Sequence, residues 1–446
     1  MLSLFARQIE RFRRDKRGNI VTLFALTLVP VLAVAGGAVD YSRLDNVRTR
    51  LQLAADTASV GSVAKNSPAF IAAGSMSSDG PIPVGVTDAT NIFNGNMAGQ
   101  TGYTLNSMTA SVTRSSGSVT SSVQFSATIS TTFMAAVGKS SLTVSGGSTS
   151  VTSMPQYIDF YLLLDNSPSM GVAATPNDVT TMVNHTSDQC AFACHDLNNS
   201  KNYYDLAKSL GVTTRIDVLR SATQSLMDTA SASETYSNQF RMAIYDFGGA
   251  ASSAGLRSLF ALSGSLTDAK TAAGNIDLMT VNGQNDNNDQ DTSFSNIIPA
   301  INKVITAPGS GAPSAPLKYL FFVSDGVNDE NNPSSCLKST TSSGRCQSPI
   351  DATMCTAIKN RGIKIAVLYT TYLALPTNAW YNSWIAPFNL GPYPPDKAQS
   401  YNSEIAIDMQ NCASPGYYFE VSPTQGISAA MNALFQKAIA EAHITG

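Results

Sequence analysis

The stretch IDFYLLLD, residues 158–165, followed by NSPSM, residues 166–170, decides how this chain is read. Apart from its two aspartates it is an unbroken apolar run closed by turn residues, the pattern of a strand buried on both faces. Four more such runs follow: RMAIYDF (241–247), KYLFFVSD (318–325), IKIAVLYT (363–370) and YYFEV (417–421). Helical segments fit between them at 215–230, 293–306 and 350–360, and a last amphipathic helix runs from Gly426 towards His443. Apolar runs alternating with helices predict an α/β open sheet, mainly parallel and covered on both faces.

The first run ends in a carboxylate and two hydroxyls, Asp165, Ser167 and Ser169, at D-x-S-x-S spacing. In doubly wound sheets ligands bind at the carboxyl edge of the strands. A hard divalent cation such as Mg2+ needs oxygen donors and takes only a few of them from protein. Ser324-Asp325-Gly326 repeats the arrangement at a later strand end, and Thr292 opens a helix after the polar loop NDNNDQDT. That loop fails as an EF-hand, because Gln290 and Ile297 stand where Asp or Asn and Glu are needed, so it reads as a solvated polar loop.

Outward from this core, the chain has 446 residues, 43% hydrophobic and only 13% charged, enough apolar material for two or three cored domains. The formal charge of -3 argues against a nucleic-acid partner, which would demand many phosphate contacts. Charge gathers at the start, where Arg7, Arg11, Arg13, Arg14, Lys16 and Arg17 face only Glu10 and Asp15. Residues 20–39, IVTLFALTLVPVLAVAGGAV, are uncharged and long enough to cross a bilayer. The basic head predicts a cytoplasmic N-terminus and an exported remainder, a single-pass membrane protein. A cleaved signal peptide, with an A-x-A site at Ala33 and Ala35, is the competing reading. Leu44, Val47, Leu51, Ala54 and Ala58 oppose it, continuing the span as an amphipathic helix to about Lys65.

Residues 66–104, rich in Gly, Ser, Asn and Pro, read as loop. From Leu105 to Ser153 the chain is dense in Val, Thr and Ser, and Val119, Val123, Phe125 and Ile129 favour a short antiparallel meander over a flexible stalk. All six cysteines, Cys190, Cys194, Cys336, Cys346, Cys355 and Cys412, lie in the exported part, where disulfides form. Fifteen pairings exist in principle. Cys355, on the helix before 363–370, and Cys412, before 417–421, are placed to meet, which leaves Cys336–Cys346 as a loop staple. Cys190-Ala-Phe-Ala-Cys194-His195 is one residue longer than the haem motif C-x-x-C-H, and haem or another metal there ranks below a disulfide.

The D-x-S-x-S motif with a distant Thr and a distant Asp resembles the metal-ion-dependent adhesion site of von Willebrand factor type A domains, over about 155–446. The resemblance implies that Ser167, Ser169 and Thr292 contact a divalent cation, Mg2+ or another such as Mn2+ or Ca2+, and that Asp165 and Asp325 bind it directly or through water. Pro168 replaces the family's usual Gly, and Thr292 lacks its customary glycine neighbour. The start, RRDKRGNIVTLFALTLVPVLAVAGGAVDYSRLDNVRTRLQLAADTAS, is similar to bacterial Flp pilus-assembly proteins of the TadE/TadG group. TadG-like members join such a start to a type A domain. Pilin-like members carry a glutamate five residues past the cleavage glycine, and counting from Gly18 that position is Leu23.

The domain reading is a basic segment 1–19, a transmembrane helix 20–39, a helix extension and small pilin-like α+β segment 40–154, and a type A domain 155–446 with insertions 171–214 and 371–400. The resemblance implies adhesion or assembly through envelope or pilus-system partners, with the inner-membrane bilayer as anchor. Both insertions leave strands at their carboxyl ends and are expected to rim the site. Trp380, Tyr381, Trp384 and Phe388, with Tyr393, are candidate partner anchors, with self-packing as the alternative. A metal-dependent hydrolase would need a general base that the sequence does not name. A structural envelope spacer with a vestigial site is the third reading. With three histidines and no H-E-x-x-H, G-x-S-x-G or Walker sequence, no enzyme signature is present.

Overall fold

One helix, α1 (Asn19–Ser62), carries the apolar span and the amphipathic stretch that follows without a break. The computed structural model describes residues 19–76, 78–115, 117–192, 195–198, 202–283, 289–372, 378–389, 403–421 and 426–444. The chain divides into two units, Met1–Met154 and Pro155–Gly446.

In the first unit α1 is bare along residues 21–32 and becomes buried at Leu51, Ala54, Ala55 and Ala58. It is the helix, among the described residues, long and apolar enough to cross a membrane. Its buried stretch covers an antiparallel sheet of β1 (Thr104–Ser115), β2 (Ser118–Ser130) and β3 (Ser141–Ser153), with β2 in the middle. On β2 burial alternates strictly: Val119, Ser121, Val123, Phe125, Ala127 and Ile129 face inwards, as a period of two requires. Serines close the seam, Ser62 Oγ meeting Ser121 Oγ at 2.8 Å and Ser59 Oγ meeting Ser150 Oγ at 2.9 Å.

The reading of 66–104 as loop is corrected. Two helices lie there, α2 (Pro68–Ser75) and α3 (Pro83–Met97), each with a proline in its first turn. Proline is tolerated there because that N–H has no intrahelical partner. Gly85, Ala89, Phe93 and Met97, four apart, form the buried face of α3. Small residues and asparagines hid that periodicity.

In the second unit a six-stranded sheet holds β4 (Ile158–Leu164), β5 (Phe240–Asp246), β6 (Arg257–Ser263), β7 (Leu317–Ser324), β10 (Lys364–Thr370) and β11 (Tyr418–Val421). A separate hairpin pairs β8 (Val327–Asn331) with β9 (Arg345–Pro349). The sheet order is β11-β10-β7-β4-β5-β6. Every pairing is parallel except β5 with β6. Counted along the chain the order is 3-2-1-4-5-6, that of a doubly wound sheet.

The apolar runs are unbroken because each strand feeds two cores. Phe160, Leu162 and Leu164 of β4 pack on one face with α4 (Arg215–Ser233) and α8 (Ile427–Ile444). Tyr161 and Leu163 pack on the other with α5 (Phe294–Val304), α6 (Thr353–Lys359) and α7 (Glu404–Cys412). A disulfide joins Cys355 on α6 to Cys412 on α7, with Cα atoms 5.1 Å apart. A second joins Cys336 to Cys346. Both agree with the sequence reading. Cys194 lies outside the described residues, and with it the expected pairing to Cys190.

Candidate metal centre at the strand switch point

Strand order reverses between β4 and β7, so their carboxyl ends border the crevice where doubly wound sheets bind ligands. Asp165 follows β4 and Asp325 follows β7; both are fully buried. Asp165 Oδ1 accepts from the Ser167 amide at 2.9 Å and Oδ2 from the Ser324 hydroxyl at 2.6 Å. The Ser167 and Ser169 hydroxyls stand 3.0 Å apart, and Asp325 Oδ1 accepts from the Val327 amide at 3.4 Å.

The loop is held in place by Asn166. Its Nδ2 donates to the carbonyls of Gly248 at 2.7 Å and Asp277 at 3.1 Å, and its Oδ1 accepts from the Phe247 amide at 3.0 Å. After Asp325 the chain turns at Gly326, φ +74°, where a Cβ would come within 2.7 Å of Ile405 and Met409 of α7. Only glycine satisfies both the backbone and the space.

A feature the motif did not predict is Arg215, the first residue of α4, which is 1% exposed. Its guanidinium lies 3.6 Å from Asp325 Oδ2, donates to the Thr371 carbonyl at 3.1 Å and sits over the Tyr372 ring. Arg215 Nε and NH1, Asp325 Oδ2 and Thr370 Oγ1 are buried without hydrogen-bond partners. One signal was available in the sequence: an arginine right after the cap Thr214 opposes the helix dipole, so some other charge must hold it there.

Burial, and next the charge of Asp325, push the Asp165 carboxyl up to about 7. Asp325 is also raised by burial, against the pull of Arg215. Two carboxylates this close resist joint ionisation unless a cation joins them.

The donor set suits such a cation. In an octahedral Mg2+ shell with bonds of about 2.1 Å, adjacent oxygens lie about 3.0 Å apart. The Ser167–Ser169 hydroxyl spacing matches that edge. Among the described residues no cluster of three or more His, Cys, Asp or Glu side chains offers another metal site.

Thr292 is buried, its backbone paired with Asp329, four residues beyond Asp325, with N···O distances of 3.0 and 2.9 Å. It makes none of the hydrogen bonds that join Asp165, Ser167 and Ser169. The polar loop before it is not simply solvated: Asp289 and Asp291 bind Arg345 of β9 at 3.0 and 2.8 Å. The aromatic set divides. Tyr381 and Phe388 are core residues, Tyr381 stacked on Tyr372 and its hydroxyl held by Asn389 at 2.8 Å, so neither offers a surface anchor. Trp380 is 40% exposed and Trp384 half-buried. Tyr393 lies outside the described residues.

A 3-2-1-4-5-6 sheet with an antiparallel third strand and D-x-S-x-S at its switch point defines a doubly wound α/β unit with a candidate ligand site at the carboxyl edge of its strands. Residues 18–65 match the family model described as "Putative Flp pilus-assembly TadE/G-like". The chain thus joins a TadE/G-like stretch to a doubly wound α/β unit. It matches no curated protein. Among solved structures it is similar to the vWF domain of the type V pili tip protein Mfa5 from Porphyromonas gingivalis, at 9% identity and a TM-score of 0.37, over 65% of this chain and 97% of that one. It is also similar to the pilus adhesin SpaC from Lactobacillus rhamnosus GG, at 12% identity and a TM-score of 0.34, over 77% of this chain and 35% of that one. Proximal thread matrix protein 1 from the mussel byssus shares 13% identity at a TM-score of 0.31, over 64% of this chain and 46% of that one. The chain therefore spans less than two thirds of the last two.

Proposed function

We propose that this chain is a membrane-anchored pilus assembly or adhesion protein whose second unit binds an envelope or pilus-system partner through a divalent cation. Asp165, Ser167, Ser169 and Asp325 would hold the cation, Mg2+ or a similar ion such as Mn2+ or Ca2+, with Thr292 assigned to the same set. The cation would supply an open position for a carboxylate of the partner. The role is binding, not turnover. The basic head before α1 favours a cytoplasmic N-terminus, an inner-membrane span and a periplasmic second unit.

The observation that carries the reading is the meeting at the switch point of two buried carboxylates with the buried Ser167 and half-buried Ser169 hydroxyls, Asp325 Oδ2 having no hydrogen-bond partner and only the Arg215 guanidinium 3.6 Å away. Such a group is costly unless something binds it.

Calorimetric titration of the detergent-solubilised full chain with Mg2+ tests the site. Ser167→Ala is expected to weaken Mg2+ about tenfold or more, the loss of about 1.4 kcal/mol. Retention of envelope proteins by the immobilised chain should then need Mg2+ and disappear with EDTA and in Ser167→Ala. Retention at full strength in EDTA would refute metal-mediated binding.

A further inference from the structure

Near its end the bare part of α1 acquires a cover. Residues 21–32 are exposed on every side, whereas Ala33, Gly36, Gly37 and Asp40, three and four apart, are covered or partly covered. The cover is the β2–β3 connection, TTFMAAVGKS, residues 131–140. A Cβ on Gly36 would overlap the Phe133 side chain, so glycine is what lets Phe133 lie directly against the helix. One turn further along, the Asp40 carboxylate accepts the amides of Thr132 at 3.0 Å, Phe133 at 2.8 Å and Met134 at 2.8 Å. Arg43 adds a bond to the Thr132 hydroxyl at 3.1 Å. The connection is thereby pinned at the level of residues 36–40.

What it turns outward is apolar. Phe133 is 48% and Val137 65% exposed, Ala135 and Ala136 are exposed between them, and no charge occurs before Lys139. At a rise of 1.5 Å per residue, Gly36 lies about 4.5 Å inside the end of the 20–39 span. Phe133 therefore stands at the edge of the hydrocarbon if α1 crosses a bilayer. Tyr41, exposed at the same level, is of the type that gathers at membrane interfaces. Arg43 lies about 6 Å beyond the end of the span, where lipid phosphates would lie, and Lys139 closes the apolar turn.

We infer that residues 131–138 form a second membrane contact, a wedge that enters the leaflet in which α1 ends, with Phe133 and Val137 in acyl chain and Lys139 among the headgroups. The occupant is the lipid bilayer, because the patch is continuous with the lipid-facing surface of α1 and fixed at its depth by Gly36 and Asp40. The inference rests on α1 being a membrane helix.

The test uses the full chain in liposomes of phosphatidylethanolamine and phosphatidylglycerol, with and without lipid brominated high on the acyl chain. Val137→Trp adds an indole at an exposed position, and subtracting the parent chain removes Trp380 and Trp384. Val34→Trp, within the span, reports on α1 itself. The expected result is that brominated lipid removes most of the added emission in both variants. If Val34→Trp is quenched and Val137→Trp is not, the anchor stands and the wedge is wrong, whether water or a protein covers the turn. If neither is quenched, α1 is not in the bilayer and the wedge falls with it. Ala135→Trp repeats the measurement should Val137→Trp fail to reconstitute.

Discussion

The two ends of strand β4 carry the same residue type at the same burial and treat it oppositely. At the amino end, buried Asp159 is bound by Arg241 through two bonds of 2.7 Å and by Lys318, so every charge has a partner. At the carboxyl end, buried Asp165 faces a second carboxylate, and the nearby Arg215 leaves two nitrogens unsatisfied. Closed pairing at one end makes that aspartate a staple of the sheet. Incomplete pairing at the other is the feature on which the proposed cation site rests. The Arg345 group repeats the closed type, one guanidinium binding Asp289, Asp291 and Asp329 at once.

Substitutions at the two ends should therefore diverge. Asp159→Ala leaves Lys318 buried without its carboxylate, and is expected to cost about 3 kcal/mol, less than a fully buried pair because Arg241 is partly exposed. Urea unfolding followed by the emission of Trp380 and Trp384 would read this. Arg215→Met removes a positive charge beside Asp325 and is expected to tighten Mg2+ about tenfold in calorimetry, worth about 1.4 kcal/mol, while lowering metal-free stability. Unchanged Mg2+ affinity would mean that Arg215 does not share Asp325 with the ion. Asp165→Asn should abolish Mg2+ binding yet move metal-free stability by no more than about 1 kcal/mol, since a neutral amide relieves the opposed charges. A loss as large as that of Asp159→Ala would erase the distinction between the ends.

The smallest effect is a pH dependence. Asp165 titrates near 7 in the fold and near 3.8 when exposed, so its contribution to metal-free stability is complete at low pH and is lost as pH rises through 7. The melting temperature in EDTA should fall from about pH 4 to about pH 7 and level off above that, and added Mg2+ should restore more at pH 8 than at pH 6, because proton and cation would compete for the same carboxylate. A Mg2+ effect independent of pH would place the ion elsewhere.

Much of this was legible in the sequence, for a physical reason in each case. The runs at 158–165, 241–247, 318–325 and 363–370 announced strands because two-sided burial leaves no polar alternation, and the serines and aspartates at their ends follow from where such strands stop. The meander appeared through the alternation on β2. Arg215 gave only one faint signal, a cation at a helix start where the dipole disfavours it, and its partner Asp325 is brought to it only by the fold. Tyr381 and Phe388 looked like surface anchors because an insertion leaving a strand at its carboxyl end was expected to rim the site and aromatic residues are common interface anchors, whereas Asn389 and Tyr372 draw Tyr381 into the core. Helices α2 and α3 were missed because Phe70, Phe93 and Met97 are spaced among Gly, Ala and Asn residues that read as loop.

The unbroken length of α1 has a mechanical consequence. Its 44 residues amount to a rod of about 66 Å, with no linker between the bare portion and the portion that lies on the sheet. Tension applied to the first unit would reach the far end of the rod as an axial load on consecutive helical hydrogen bonds, not as the straightening of a slack tether. The serine contacts of Ser59 and Ser62 with β2 and β3 lie across that load line, so they would be stressed in shear together, the geometry in which parallel bonds resist best.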